Sequence, residues 1–238
     1  HDSLSGERGI FSRAASTNKA AENERRNINR TEGTVWEYGT NPCSEIILRP
    51  NQFCNLTEVM VRADDTLDTL KEKVRLATIL GTYQSTLTDF KYLRKRWKDN
   101  TEEERLLGVS LTGIMDSLIT NGRAYKDVEE GLKETLTELK KVAVETNKEF
   151  AAKFGINQSV AITCVKPSGT VSQLTDTASG IHSRHSEYYI RRVRGDMKDS
   201  LTNFLKDAGV PFENAISGYQ DIDETMPIYN DQIGVFSF

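Results

Sequence analysis

The stretch Asn41-Pro42-Cys43-Ser44-Glu45, continuing through Ile46-Ile47-Leu48 to Phe53-Cys54-Asn55-Leu56-Thr57-Glu58-Val59, decides how this chain reads. In its first five residues a thiol is flanked at i−2 and i+2 by an amide and a carboxylate. Alternate side chains of an extended segment share a face, so Asn41, Cys43 and Glu45 are expected to point into one small volume. A sulfur able to act as a nucleophile or a one-electron centre would then lie beside a hydrogen-bonding amide and a proton acceptor. Pro42 has no N–H and stiffens the segment, which suits a loop better than a mid-sheet strand. A structural cysteine normally sits among apolar residues, and the polar flanks of Cys43 argue against that role. After a turn at Pro50-Asn51, Phe53–Val59 alternates as a strand does. Phe53, Asn55, Thr57 and Val59 fall on one face, Cys54 and Leu56 on the other.

Working outward, residues 1–33 are polar, with a short helix expected around Lys19–Arg26, and Thr34–Tyr38 is β-prone. From Thr66 to Asp99 the spacing of Leu67, Leu70, Val74, Ala77 and Thr78 is helical. Thr101-Glu102-Glu103-Glu104 reads as a capping box opening a second, largely buried helix through Leu118, closed at Asn121-Gly122. A third helix is expected from Asp127 to Phe154, with Leu132, Leu136, Leu139, Val142 and Val144 as its core stripe and Gly155 as its stop. Gln158–Val165 returns to β character, Tyr188–Arg194 is a basic β-prone run, and 198–208 suits a short amphipathic helix. Strands, helices, strands, helix, strand make an α/β mixture.

The 238 residues suit one large domain or two small ones. No apolar run approaches the ~18–20 residues of a membrane span, and no signal pattern opens the chain. A formal net charge of −4 gives no general attraction for nucleic acid, so an anionic small substrate needs a local site. Three cysteines, with no CxxC pair, point to a reducing cytoplasm rather than a disulfide scaffold. Those cysteines and the three histidines lack metal-ligand spacing, so no metal is expected. The chain lacks an initiator Met and ends on Gly234-Val235-Phe236-Ser237-Phe238, like a strand cut mid-run; a piece of a longer polypeptide is expected.

A second constellation is Lys166-Pro167-Ser168-Gly169-Thr170-Val171-Ser172, where a strand hands over to a helix. Gly169 lets backbone approach a ligand closely, Ser168, Thr170 and Ser172 carry hydroxyls, and a first helical turn has free N–H donors. Such a turn can cradle an anion, with Lys166 as a supplementary cation. An ordinary helix cap has the same composition, and the Walker spacing is absent.

With both constellations in hand, the chain resembles the catalytic subunit of ribonucleotide reductases, most closely the adenosylcobalamin-dependent class II enzymes. Asn41-Pro42-Cys43-Ser44-Glu45 is similar to that family's finger loop, Asn-Pro-Cys-x-Glu, with Ser44 where the family often has Gly. Lys166–Thr170 is similar to its substrate-phosphate loop. Leu106–Gly113 resembles a helix between the two motifs, and His185–Val193 the segment after the second. The resemblance implies part of a ten-stranded α/β barrel: a C-terminal half-barrel with its finger loop, residues 1–238 being a single segment of the catalytic domain truncated at both ends. It implies an oxidoreductase that reduces the ribose 2′-OH of ribonucleotides to supply deoxyribonucleotides for DNA synthesis. Cys43 would be the thiyl radical that takes the 3′-hydrogen, Glu45 the acceptor of the 3′-hydroxyl proton, Asn41 a ligand of the sugar hydroxyls and Cys54 the reducing thiol. Asn41, Pro42, Cys43, Ser44 and Glu45, with Pro167, Ser168, Gly169, Thr170, Val171 and Ser172, would bind substrate. Adenosylcobalamin would be the cofactor and a thioredoxin-like protein the reductant. The partner of Cys54 in the redox-active disulfide is expected before residue 1, because Cys164 matches no family position, and the segment is expected not to turn over alone.

Three alternatives stay open from the residues. A class I subunit would receive its radical from a partner protein. A non-catalytic nucleotide-binding module would need the 167–172 turn but not Asn41, Cys43 and Glu45 together. A thiol hydrolase would need His182 or His185 near Cys43.

Overall fold

Alternation along Asn55–Met60 makes strand β3, with Thr57 and Val59 buried as the period of two requires. It is preceded by a two-residue-per-arm hairpin, β1 (Gly39–Thr40) and β2 (Ile47–Leu48), which pair antiparallel. The computed structural model describes residues 9–22, 26, 37–220 and 225–238; of the expected strand Thr34–Tyr38, residues 34–36 lie outside them, and Glu37 and Tyr38 are not in a strand. The early helix is α1, Arg13–Glu22, which contains the first four residues of the expected Lys19–Arg26; residues 23–25 of that expectation lie outside the described ones. Residues 1–184 and 185–238 form two compact units.

In the first unit β3 pairs in parallel with β4, Leu107–Thr112, in register from Asn55 opposite Leu107 to Met60 opposite Thr112. Parallel neighbours need a crossover, and two helices supply it. Helix α2 runs Leu67–Gln84 behind a Thr66/Thr69 capping box, and α3 runs Lys95–Glu104. The helix expected from Thr101 to Leu118 is therefore corrected. Thr101-Glu102-Glu103-Glu104 is the last turn of α3, and Arg105, at φ 46°, ends it in the left-handed region. Its guanidinium donates to the Ser85 carbonyl, which closes the end of α2 and splits the helical stretch expected over 66–99. The following apolar run is β4. A strand buried on both faces is continuously apolar and has no period to betray it.

Helix α4, Val128–Phe154, starts at its Asp127 cap and stops at Gly155 with φ 66°, as the sequence implies. Of its expected stripe, Leu139 is buried and Val142 and Val144 pack against the core, while Leu136 is exposed; Thr135, Ala143, Thr146, Asn147 and Ala151 complete the buried face. Small and hydroxylic residues let α4 lie close to α2, whose buried Thr78 and Thr82 donate to carbonyls one turn back. Asn147 donates to Thr82 Oγ1 and Ser159 Oγ, both at 3.0 Å, and accepts from the Ser159 N–H at 2.8 Å. That one amide joins α2, α4 and the segment after α4. There the expected Gln158–Val165 strand appears as a single parallel bridge, Thr163 beside Val109, supported by Val109 N–H to the Ile162 carbonyl and Cys164 N–H to the Val109 carbonyl. β-α-β-α-β with parallel strands is an α/β arrangement. A five-residue helix, α5 (Thr170–Leu174), follows.

In the second unit β5 (Arg192–Asp196), β6 (Phe212–Tyr219) and β7 (Pro227–Ser237) form an antiparallel sheet ordered β5-β7-β6. Helix α6 (Ser200–Asp207) fills the expected 198–208 position, and Phe212 stacks on buried Phe236 with ring centroids 5.5 Å apart.

The hairpin is moored to α3 through Glu104. This carboxylate is 5% exposed at the negative end of its helix, an unfavourable place for an anion. Arg26 offsets it with Nε at 3.3 Å and Nη2 at 3.1 Å, Gln52 Nε2 donates at 2.6 Å, and Arg49 Nε stands 3.6 Å away. Arg49 also reaches Glu103 and the Asn100 carbonyl, and Asn100 Nδ2 returns a bond to the Pro50 carbonyl. Glu104→Ala strands buried guanidinium charge and is expected to cost about 3–5 kcal/mol in urea unfolding. A loss below about 1 kcal/mol would show that the cluster does not hold the hairpin base.

Candidate active site

Asn41–Glu45 is the connection between β1 and β2, and it is not extended. The Ser44 N–H donates to the Asn41 carbonyl at 3.0 Å, and Ser44 takes φ 65°. The Asn41 side-chain oxygen accepts the Ile46 N–H at 3.0 Å, so half of its amide closes the loop. The expected common face of Asn41, Cys43 and Glu45 is thus replaced by a turn. Pro42, Cys43 and Ser44 are exposed at its tip, while Glu45 turns inward with Oε2 buried and without a hydrogen-bond partner. The left-handed φ also gives a reason for glycine at position 44, since an L side chain there costs roughly 1–2 kcal/mol.

Inside, Cys54 precedes β3 and shares the face of Leu56 and Glu58. Burial pushes the Cys54 thiol up from its ordinary range, and the charge of Glu45 pushes it further. Cys164 is pushed up to about 12, first by burial, then by Glu45 and by Cys54, with Lys166 acting the other way and Glu58 adding to the rise. Glu45, Cys54, Glu58 and Lys166 all act on Cys164, and Glu45 acts on Cys54 as well, so the five groups border one interior. Cys164 was outside the site expected from sequence, although the alternation of Val160, Ile162 and Cys164 marks it as facing inward. All three cysteines are free. The groups acting on Cys54 and Cys164 include no histidine.

Gly108 on β4 is what allows this convergence. A Cβ there would lie 2.4 Å from Leu56 Cδ2 and 3.0 Å from both Cys164 Sγ and Ile46 Cδ1. The hairpin, β3 and the post-α4 segment all press on that one missing side chain.

The Pro167–Ser172 turn does lead a strand segment into a helix, with Gly169 at the cap of α5. Its hydroxyls are unequally free. Ser172 Oγ donates to the carbonyls of Ser168 and Gly169 at 2.8 and 3.0 Å, so it serves its own helix. Ser168 is 2% exposed, and its Oγ has no partner. A Cβ on Gly169 would meet nothing within 4 Å. The turn is held from behind: Ser179 Oγ donates to the Ser168 carbonyl, and the Gly180 N–H donates to Thr112 Oγ1 at the end of β4. Arg62 binds the Thr175 and Asp176 carbonyls at 2.6 and 2.9 Å, and Arg184 bridges Asp116 and Asp176. His182 and His185 are exposed.

Residues 12–159 match the family model described as ribonucleotide reductase, barrel domain. The chain is 32% identical over 191 residues to an adenosylcobalamin-dependent ribonucleoside-triphosphate reductase of Lactobacillus acidophilus, covering 72% of this chain and 25% of that protein. Its counterpart in Lactobacillus gasseri is 31% identical over 211 residues, covering 80% of this chain and 28% of the relative. A protein named probable adenosylcobalamin-dependent ribonucleoside-triphosphate reductase in Dictyostelium discoideum is 29% identical, with 81% and 24% covered. The crystal structure of a B12-dependent (class II) ribonucleotide reductase superposes with a TM-score of 0.60 at 27% identity, over 84% of this chain and 29% of that one. The chain spans about a quarter of the length of these curated relatives. Among the described residues no helix is long and apolar enough to cross a membrane.

The loop tip offers a clean stability test, because the Ser44 side chain is exposed. Ser44→Val is expected to lower stability by about 1–2 kcal/mol, because a β-branched side chain fits the left-handed region worse than serine and the 3.4 Å contact between the Thr40 and Ser44 hydroxyls is lost, and Ser44→Gly to be neutral or stabilising by up to about 1 kcal/mol. Equal thermal unfolding of the Val variant and the parent would mean that the loop does not keep this turn.

Proposed function

Because the chain belongs to the ribonucleotide reductase family, we propose that it is the part of an adenosylcobalamin-dependent reductase that carries the radical cysteine loop and the substrate-phosphate turn. Residues 1–238 would then be one segment of the catalytic barrel domain; the structural match covers a larger share of the chain than residues 1–184 alone. The observation that carries the reading is the inward turn of Glu45. Its unpartnered carboxylate oxygen is the one proton acceptor that the loop presents beside Cys54, a thiol whose protonated form that same charge favours.

The exposed Cys43 sulfur fits a bulky radical source, since nothing of the loop tip covers it. Adenosylcobalamin, when bound, supplies one-electron oxidation of a thiol. The chain's own residues do the rest. Cys43, as a thiyl radical, takes the ribose 3′-hydrogen and so becomes a thiol; when it returns a hydrogen to C3′ it is a thiyl radical again. Glu45 accepts the 3′-hydroxyl proton and Asn41, through the amide nitrogen not used in the loop, holds the sugar hydroxyls. Cys54 delivers a proton as the 2′-hydroxyl leaves as water, which requires a thiol rather than a thiolate at neutral pH. Its redox partner is another thiol of the full protein; Cys164, held protonated up to about 12, is poorly suited. The backbone of the Pro167–Ser172 turn, with Ser168 and Thr170, anchors the phosphates and so sets the ribose against Cys43. A thioredoxin-like protein would restore the thiols, and the free cysteines suit a reducing cytoplasm. A class I subunit or a binding module is less well supported, because the relatives' names carry adenosylcobalamin dependence.

In the intact polypeptide, Cys43→Ser is expected to abolish deoxynucleotide formation while nucleotide affinity stays within about twofold. Retained turnover would remove Cys43 from the chemistry. For the turn, Gly169→Ala meets no neighbour in the protein, so melting should be unchanged. A methyl group in the ligand's place is expected to weaken nucleotide binding by about tenfold or more. Unchanged affinity in calorimetry would mean that no ligand packs against Gly169.

A further inference from the structure

Glu58 has no task in the scheme above. It follows Cys54 and Leu56 at two-residue steps and faces the same interior. Its side chain is 6% exposed; Oε2 lies 3.5 Å from Lys166 Nζ, and Oε1 is buried with no hydrogen-bond partner. Charge-assisted N–H···O bonds close to about 2.7–2.9 Å, so this ion pair is loose. The other contact of the ammonium, to the Pro167 carbonyl, is also 3.5 Å long, and the lysine side chain is 23% exposed. The lysine backbone is fixed by contrast. Its N–H donates to buried Ser110 Oγ at 2.9 Å, and the proline that follows restricts it to extended conformations. The ammonium has freedom on a stem whose root has none.

The charged and titratable groups that act on the adjacent Cys164 are Glu45, Cys54, Glu58 and Lys166, and Lys166 is the cation among them. An anion entering this interior meets two carboxylates. It needs that ammonium close by, and a lysine left to itself takes hydrated, outward rotamers. A fully satisfied ion pair would keep the lysine inside but would resist opening. A half-satisfied carboxylate retains it and lets it go.

We propose that Glu58 is a positioning residue that holds Lys166 beside the Pro167–Ser172 turn as the cation for a phosphate ester or anhydride, and that the ligand draws the ammonium from Glu58 onto its own oxygens. The inference rests on the phosphate-binding reading of that turn.

Calorimetry of the intact polypeptide with pyrophosphate and with a nucleoside triphosphate tests it. Lys166→Met is expected to weaken pyrophosphate binding by about tenfold or more, with Lys166→Arg recovering most of the loss. Glu58→Gln, isosteric and neutral, is expected to weaken binding about threefold in the parent and to have no effect in the Lys166→Met background. A second measurement needs no variant: saturating pyrophosphate should shield Lys166 from amine acylation, read by mass spectrometry. Unchanged affinity in Lys166→Met, or equal acylation with and without pyrophosphate, would overturn the proposal. So would a Glu58→Gln effect that persists without Lys166, which makes Glu58 merely structural, or tighter binding, which makes it merely repulsive. If the parent binds neither ligand, the reading of the turn itself fails. If Gly169→Ala loses affinity while Lys166→Met does not, only the present inference falls.

Discussion

The buried carboxylate of Glu104 is the constraint on which the placement of the site depends. An acid at the C-terminal end of a helix opposes the helix dipole, and burial raises the cost. It is tolerable only because Arg26, Gln52 and Arg49 converge on it from other parts of the chain. That convergence fixes two things at once. It stops α3 at Arg105, so that β4 begins in register with β3, and it ties residues 49–52 to the end of α3, so that the hairpin cannot swing. Phe53 adds an apolar clamp at the same place, its ring 5.0 Å from Phe90 and 4.7 Å from Trp97. The Asn41–Glu45 loop is short and turn-like, and precision in where Cys43 and Glu45 sit comes from this base rather than from the loop.

What the residues announced, and what they hid, follows from how locally each feature is determined. β3 and α4 were legible because a half-buried strand and an amphipathic helix each show their own period, and α4 also carries an Asp cap and a Gly stop. β4 was not. Its neighbours cover both faces, so its sequence is apolar throughout, and the acidic run before it imitates a helix start although it is a helix end. The stripe of α4 was only partly legible: Leu139 is in the core with Val142 and Val144 packed against it, but the face that packs is chosen by how close α2 can come, which favours Thr135, Ala143 and Ala151 over the larger Leu136. In the loop, the residue types suggested a chemistry while the geometry stayed hidden, because the positive φ of Ser44 is not written in a serine. Cys164 joins the interior only through the pairing of 161–164 with β4 and the absence of a side chain at Gly108.

The electrostatics of that interior has a direction. Glu45 is close enough to raise both inner thiols, and burial acts in the same sense. Thiolates are therefore disfavoured where Cys54 and Cys164 sit: no cation or histidine lowers Cys54, and the one cation that acts on Cys164, Lys166, is outweighed by burial and by Glu45. An interior built this way resists ionic sulfur chemistry. It suits hydrogen-atom and proton delivery from neutral thiols, which is why the carboxylate belongs beside them: it can take a proton from a substrate hydroxyl without first taking one from sulfur.

The Pro167–Ser172 turn, in its proposed role, illustrates how an acidic chain could offer an anion site without a basic patch. Of its three hydroxyls, Ser172 is committed to its own helix, leaving buried Ser168 and exposed Thr170. Side-chain donors are thus few, and the backbone must carry most of the recognition. Backbone donors serve only if they are held still, and they are: Ser179 grips the Ser168 carbonyl, Thr112 the Gly180 N–H, and Arg62 and Arg184 the carbonyls at the far end of α5. Arginines at the C-terminal end also offset the partial negative charge there. The open side of Gly169 leaves these N–H groups reachable, while the rigid frame behind them means that little ordering remains to be done when an anion arrives.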